Sequence, residues 1–419
     1  MSNAPPAAAQ TFEVGRAGWS LVGVAGDGAQ VFAALTSGSK TSGSKTSASK
    51  TTIEARRRGS AAWRAELDGR GGPIAHGNGL VVATTSGHGA VGKITLRGEP
   101  GSVVSALDAQ SGAVRWSQPI DATDWVVISA IASAPDGVLV GGTFSGTLRI
   151  GKQVVSTAGK TDGFVARLTA TGELAWLIRV GGPGADAVQG VASSHDGALI
   201  AIAGTFAPGA DVLGLPLTPA NDRSPFGDGF VAALDATGKA RWAQSFGGQE
   251  DESIAGVAID AQNRIAVAAT VRDTVHVVGM DLTARGPADG LVAWWLPDGG
   301  GGTATLIGGT DFDGLRAITA AGDHVVVGGF YSGSLTLGNR SMTAAGGDDS
   351  FLAELDGQGA ITAAWPLSGD GREELTSLAT VPGGFVAGVA YTAAAKLDGT
   401  ALAAPSDPMS GAAVLVRPF

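Results

Sequence analysis

A block of about sixty residues recurs along this chain and constrains its fold more than any other feature. DGFVARL at 162, DGFVAAL at 228, DGLVAWW at 289 and DSFLAEL at 349 align almost residue for residue, with starts 66, 61 and 60 residues apart. Each alternates as a strand does, with Phe164, Ala166 and Leu168 on one face and Val165 and Arg167 on the other. A turn and a second strand follow, as in TATGELAWLIRV and DATGKARWAQSF. After a loop, AVQGVASSHDGALIAIAGTF gives strand, Asp-Gly turn, strand. Each unit therefore holds four strands, A to D in the order VQGVAS, ALIAIAG, GFVARL and LAWLIRV. Units of this length stack as propeller blades.

Counting A–B pairs predicts seven blades, the second (around GPIAHGNGLVVATTS) matching least well. The last unit stops after strand C at GAAVLVRPF, and the chain begins with TFEVGR, which aligns with a D strand. The expectation is an all-β, seven-bladed propeller of four-stranded antiparallel blades, in which the N-terminal strand pairs with the C-terminal blade and leaves no open edge. Residues 1–10 read as a flexible Pro/Ala-rich leader, residues 11–419 as one propeller, and 37–51 as a mobile Lys/Ser/Thr-rich loop in blade one. The 67 glycines and 18 prolines suit many short strands and tight turns, and the 44% hydrophobic content rules out disorder.

RWAQSFGGQEDESIAGVAIDAQNRIAVAAT and LAWLIRVGGPGADAVQGVASSHDG resemble the bacterial SBBP-repeat propellers, with their W…GG…D…GIAVD…G run. The likeness is clear in blades three to seven and poor in one and two. ALDAQSGAVRW is similar to the docking motif of quinoprotein-type propellers. Both resemblances imply a fold; neither implies a reaction.

With no cysteine, disulfides, thiolate zinc, iron–sulfur ligation and cysteine nucleophiles are excluded together. The five histidines are scattered over the blades and loop types without metal-ligand spacing, and no G-x-S-x-G elbow occurs. No cofactor is expected. The net charge of −10 disfavours general nucleic-acid binding, and no apolar run is long enough for a transmembrane segment. The start MSNAPPAAAQ lacks a signal-peptide core; a leader of this kind suits the mature part of an exported protein, periplasmic, surface-tethered or secreted. The chain is expected to act as a monomer.

Four positions before the small residue of strand A (Gly190, Gly256, Ala317, Ser377) stands a carboxylate: Asp186, Glu252, Asp313 and Glu373. This position lies in the D–A loop, on the face of the channel mouth. A ring of carboxylates there would hold a hard cation or a cationic ligand, or each would anchor its own loop. Recurrence once per blade favours anchoring, because a ligand site more often breaks a repeat. Asp162, Asp228, Asp289 and Asp349 open strand C on the same face as turn anchors. Trp19 stands where blade one lacks the carboxylate, and Trp125 beside Val126, which replaces it in blade three; both tryptophans suit stacking on a sugar or a partner. Trp63, Trp116, Trp176 and Trp242 recur on strand D as wedges between blades, and one of Trp294 and Trp295 is expected to face outward. Lys40, Lys45, Lys50, Arg56, Arg57 and Arg58 form a basic arm for an anionic partner.

The function expected is a non-catalytic recognition or scaffold propeller binding a protein or glycan on its D–A/B–C face. The alternative is a lyase or hydrolase at the channel mouth with a divalent cation on the carboxylates.

Overall fold

The computed structural model describes residues 10–14, 19–37, 41–42, 45–46, 49–57, 60–97, 99–220, 227–345, 347–402 and 411–418. Seven inner strands surround a central channel: Trp19–Gly26, Arg70–Gly77, Trp125–Ala134, Ala187–Ser193, Ser253–Ile259, Gly314–Ala321 and Glu373–Val381. Each contacts the next, and the last contacts the first, so the ring is closed.

The sheets are not seven alike. Counted as uninterrupted runs of chain there are six blades and not seven, each a four-strand antiparallel meander running outward from its inner strand. The remaining sheet is a composite of both chain ends. Glu373–Val381, Gly384–Tyr391 and Gly411–Pro418 supply three strands, and Gln10–Glu13 supplies the fourth. Its outermost pairing sets Gln10 against Val416 and Glu13 against Ala413.

Nor are the blades uniformly four-stranded, because four of the sheets have six strands. The extra pair is a hairpin in the B–C loop of the following unit. Thr147–Ile150 pairs with the D strand Val114–Ala122, Asp211–Val212 with Leu174–Gly181, Thr274–Val277 with Ala240–Gly248, and Ala395–Leu397 with Ile361–Gly369. An outer strand carries a row of unpaired backbone groups, and these hairpins cover it while tying successive units together.

Both faces of a blade are buried against its neighbours. Trp294 and Trp295 are therefore both buried, at 2% and 1% exposure, and neither faces outward. Trp295 packs with the core shared with blade four, and Trp294 with the core shared with blade six.

The recurrent D-strand tryptophans lock each blade to the next. The indole N–H groups of Trp63, Trp116, Trp176 and Trp242 donate to the carbonyls of Ala109, Ala170, Ala236 and Pro297, at 2.9, 2.9, 3.2 and 3.0 Å. Each acceptor lies in the C–D turn of the following blade. There Gly112, Gly172, Gly238 and Gly299, all at φ between +72° and +85°, lie against the same four rings. A Cβ on Gly172 would stand 2.6 Å from Trp116, so glycine is required both for its backbone angle and for the room. Blade five has no tryptophan on strand D; Thr305 donates to the carbonyl of Gly359 instead, at 2.8 Å.

Candidate functional site at the channel mouth

The D–A and B–C loops share one face, and there the repeated acids form buried pairs at successive blade junctions. Asp162 lies beside Asp186, Asp228 beside Glu252, Asp289 beside Asp313 and Asp349 beside Glu373. All eight residues are at most 5% exposed. Asp162, Asp289 and Asp349 accept the backbone N–H four residues earlier, from Ala158, Arg285 and Ala345. Asp186 accepts from Gly182 at 2.7 Å and Ala207 at 2.8 Å; Asp313 accepts from Gly309 at 2.6 Å and Ser332 at 3.2 Å. Here the double glycine before each acid finds its purpose. At Gly308 a Cβ would lie 2.2 Å from the Asp289 carboxyl carbon, and the N–H of Gly309 binds Asp313.

Burial dominates the chemistry of these acids. It pushes the carboxyl of Asp313 up to about 6, Glu373 to about 7 and Glu252 to about 8, with the neighbouring aspartates adding to the rise. Both carboxyl oxygens of Glu252 and Glu373, and one oxygen each of Asp162, Asp289 and Asp349, meet no hydrogen-bond donor within the protein among the described residues. The pairs are distributed around the ring, at successive junctions. They do not converge on the channel. Among the described residues no three His, Asp or Glu side chains gather as a metal-binding group.

What faces the channel is a different set. Six of the inner strands carry a one-residue β-bulge at the same level, at Val22, Ser129, Gln189, Ala255, Arg316 and Thr376. The inner strand of blade two is interrupted there across Gly72 and Pro73. A bulge swings the extra residue out of the pleat, and all six line the mouth on the D–A/B–C face, a cavity of about 720 Å³. The next position is small for lack of space. A Cβ on Gly190 would come within 2.9 Å of the Val257 backbone nitrogen.

Three charged residues line this cavity: Arg316, Arg372 and Glu374. Glu374 lies 3.3 Å from Arg316 and 3.5 Å from Arg372. The Arg316 guanidinium stands 5.0 Å over the Phe330 ring, which stacks on Phe312 at 5.6 Å. Ser20, Ser129, Ser253, Thr376 and Thr392 add hydroxyls, and Gln189 an amide whose Oε1 meets no donor within the protein among the described residues.

The remaining site candidates lie elsewhere. Trp19 is half-buried against the core between blade one and the closing sheet, and Trp125 is half-buried at the start of its inner strand; neither lines the mouth. The basic arm is divided between two faces. Lys50–Arg57 is strand C of blade one, so Lys50 sits at the B–C end and Arg56 and Arg57 at the C–D end, on the opposite face. The reason is local: TTIEA alternates and fills the core, making a strand of a stretch that the charge run alone presents as an arm. Lys50 pairs with Asp68 at 3.0 Å, Arg56 with the buried Glu54 at 2.6 Å, and Arg57 donates to Gln110. Lys40 and Arg58 lie outside the described residues, as do residues 1–9 of the leader; in the lysine loop, Thr41–Ser42 pairs with Lys45–Thr46.

Fold and mouth together define an all-β propeller with a polar, ring-lined channel entrance. Among solved structures the chain is similar to the propeller domain of the trilobed protease from Pyrococcus furiosus, with a TM-score of 0.50 at 10% identity, covering 94% of this chain and 98% of that one. It is also similar to BamB from Moraxella catarrhalis, with a TM-score of 0.44 at 16% identity, covering 95% and 85%. Likeness at such identity is a likeness of fold. A curated relative, the regulatory protein FlaEY of Caulobacter vibrioides, is 25% identical over 293 residues, which is 63% of this chain and 30% of that protein. No family model matches the chain, and none of its described helices is long and apolar enough to cross a membrane.

Proposed function

We propose that this chain is a non-catalytic recognition propeller that binds its ligand or partner at the channel mouth on the D–A/B–C face. The bulge ring carries the proposal. The buried acids repeat from blade to blade, as structural parts do, whereas the bulged residues occupy one repeated place with six different side chains. Variation confined to the positions that face a cavity is what recognition requires and packing does not. The regulatory description of the distant relative is compatible with such a role. A metal-assisted lyase or hydrolase would need acids converging on the mouth, and the displaced carboxyls lie buried at separate junctions instead.

Peptide and glycan arrays probed with the wild type and with Ser129→Trp test the proposal. The tryptophan projects an indole into the mouth from the bulge, so a ligand of the mouth is weakened or lost while the melting temperature holds. Binding that Ser129→Trp leaves unchanged sinks the proposal.

The W…GG…D run also supports kinship with the SBBP-repeat propellers, since tryptophan, glycines and acid each have a structural task here. A repeat profile built on blades three to six should recover that family ahead of other propellers. Export is likewise proposed from the Pro/Ala-rich start, and cell fractionation with a tagged chain tests it.

A further inference from the structure

We propose that the mouth takes an acidic saccharide, its carboxylate held by the guanidiniums of Arg316 and Arg372. This rests on the assignment of the mouth as the binding face and specifies what enters it.

The sign of the charge is the first argument. The protein carries −10 overall, yet the charged residues lining the mouth are two arginines against one glutamate. Glu373 and Asp348 border the adjoining recess with the same two arginines, but the acid within ion-pair reach of Arg316 and Arg372 among the described residues is Glu374 for both. Two guanidiniums thus share one carboxylate at this point of the wall, and the uncompensated charge draws an anion.

The second argument is unspent hydrogen-bonding capacity. Charge-assisted contacts close to roughly 2.7–2.9 Å when they form well, and the two contacts of Glu374 are longer, at 3.3 and 3.5 Å. Neither guanidinium donates a well-directed hydrogen bond to the protein among the described residues. Phe330 supports the Arg316 plane from one side, which fixes its fork without using its donors. A ligand carboxylate can therefore bind bidentately to a pre-placed fork.

The third argument is the rest of the wall. Hydroxyls of Ser20, Ser129, Ser253 and Thr376 line the same cavity as the fork, and the Gln189 Oε1 meets no donor within the protein among the described residues. A sugar ring supplies hydroxyl donors and acceptors in all directions and satisfies such a wall. A peptide anchors best through large apolar or aromatic side chains in deep pockets, and the aromatic residue lining this cavity, Tyr391, is 3% exposed. The volume of about 720 Å³ is ample for a short oligosaccharide.

Calorimetric titration with tetragalacturonate, maltotetraose, inorganic phosphate and an acidic peptide provides the test. Tetragalacturonate should bind, and maltotetraose of the same length should bind at least about tenfold more weakly. Arg316→Gln should weaken tetragalacturonate by about tenfold or more, Arg316→Lys by less, and Glu374→Gln should tighten it. Failure of tetragalacturonate to bind, or equal binding of maltotetraose with no effect of Arg316→Gln, overturns the acidic-saccharide assignment. A peptide or neutral sugar that binds and is lost in Ser129→Trp does the same while preserving the mouth as the binding face. Tetragalacturonate binding that survives both Ser129→Trp and Arg316→Gln overturns both.

Discussion

Glu373 and Asp349 form a buried carboxyl–carboxylate pair where blade six meets the closing sheet, at 3% and 0% exposure. Neither oxygen of Glu373 meets a hydrogen-bond donor within the protein among the described residues, and burial, with the Asp349 charge beside it, favours the protonated form of Glu373.

Stability should consequently fall as the solution becomes more alkaline. Burial raises the folded-state values of Glu252, Glu373 and Asp313 to about 8, 7 and 6, above those of the unfolded chain. A group raised in this way stabilises fully below its unfolded value and loses that contribution as pH climbs through its folded one. Denaturant midpoints should therefore drop between about pH 5 and pH 8. Glu373→Gln mimics the protonated acid; it should flatten that decline and gain about 1–2 kcal/mol at pH 8, after allowing for solvent screening. A midpoint that rises over this interval, or a glutamine variant less stable than wild type at pH 8, contradicts the raised carboxyl of Glu373.

Gly172→Ala should lower stability by about 2–3 kcal/mol. It combines a left-handed backbone angle with a methyl group pressed onto the Trp116 ring. Gly151→Ala is the control, having a similar positive φ of +57° and open space around it. Equal losses in chemical denaturation would show that the ring contact adds nothing.

Calcium or magnesium at millimolar concentration should leave the melting temperature unchanged, because each oxygen of Asp186 and Asp313 already accepts a backbone N–H and no three acids or histidines gather as a metal-binding group among the described residues. Asp186→Asn should instead cost about 1–3 kcal/mol, since the amide nitrogen would face an N–H where a carboxylate oxygen now accepts. A rise of several degrees with the cation would mark a specific site.

Deleting residues 1–17 removes the strand that covers Gly411–Pro418 and leaves that edge bare. The truncated chain should aggregate or melt many degrees lower, as followed by light scattering and calorimetry. A monomer as stable as the full chain would show that the pairing is dispensable.

The sequence is most informative where one residue type has one task. Strand alternation, the turn glycines and the D-strand tryptophans are legible because each repeats with its partner at fixed spacing. The twin tryptophans at 294 and 295 mislead because alternation assumes a dry face and a wet one, and a blade has two dry faces. The B–C hairpins that thicken four sheets leave little trace, being strands of two to four residues such as Asp211–Val212 and Thr274–Val277. The mouth is legible only in part. The repeated acids draw attention to the D–A/B–C face but lie buried in its junctions, while the column just before the small residue carries Gln189, Ala255, Arg316 and Thr376. That column looks unremarkable until the bulge is seen to turn it into the channel.

Because the bulged side chains hang from backbone irregularities that the sheet supplies regardless of what is attached, each can be exchanged with little disturbance to its neighbours. The entrance behaves like a combination dial, with fixed wheels and interchangeable digits. One codon change at Arg316 or Gln189 would re-address the protein to a new ligand while its architecture stayed untouched, which is a short evolutionary route from one specificity to another.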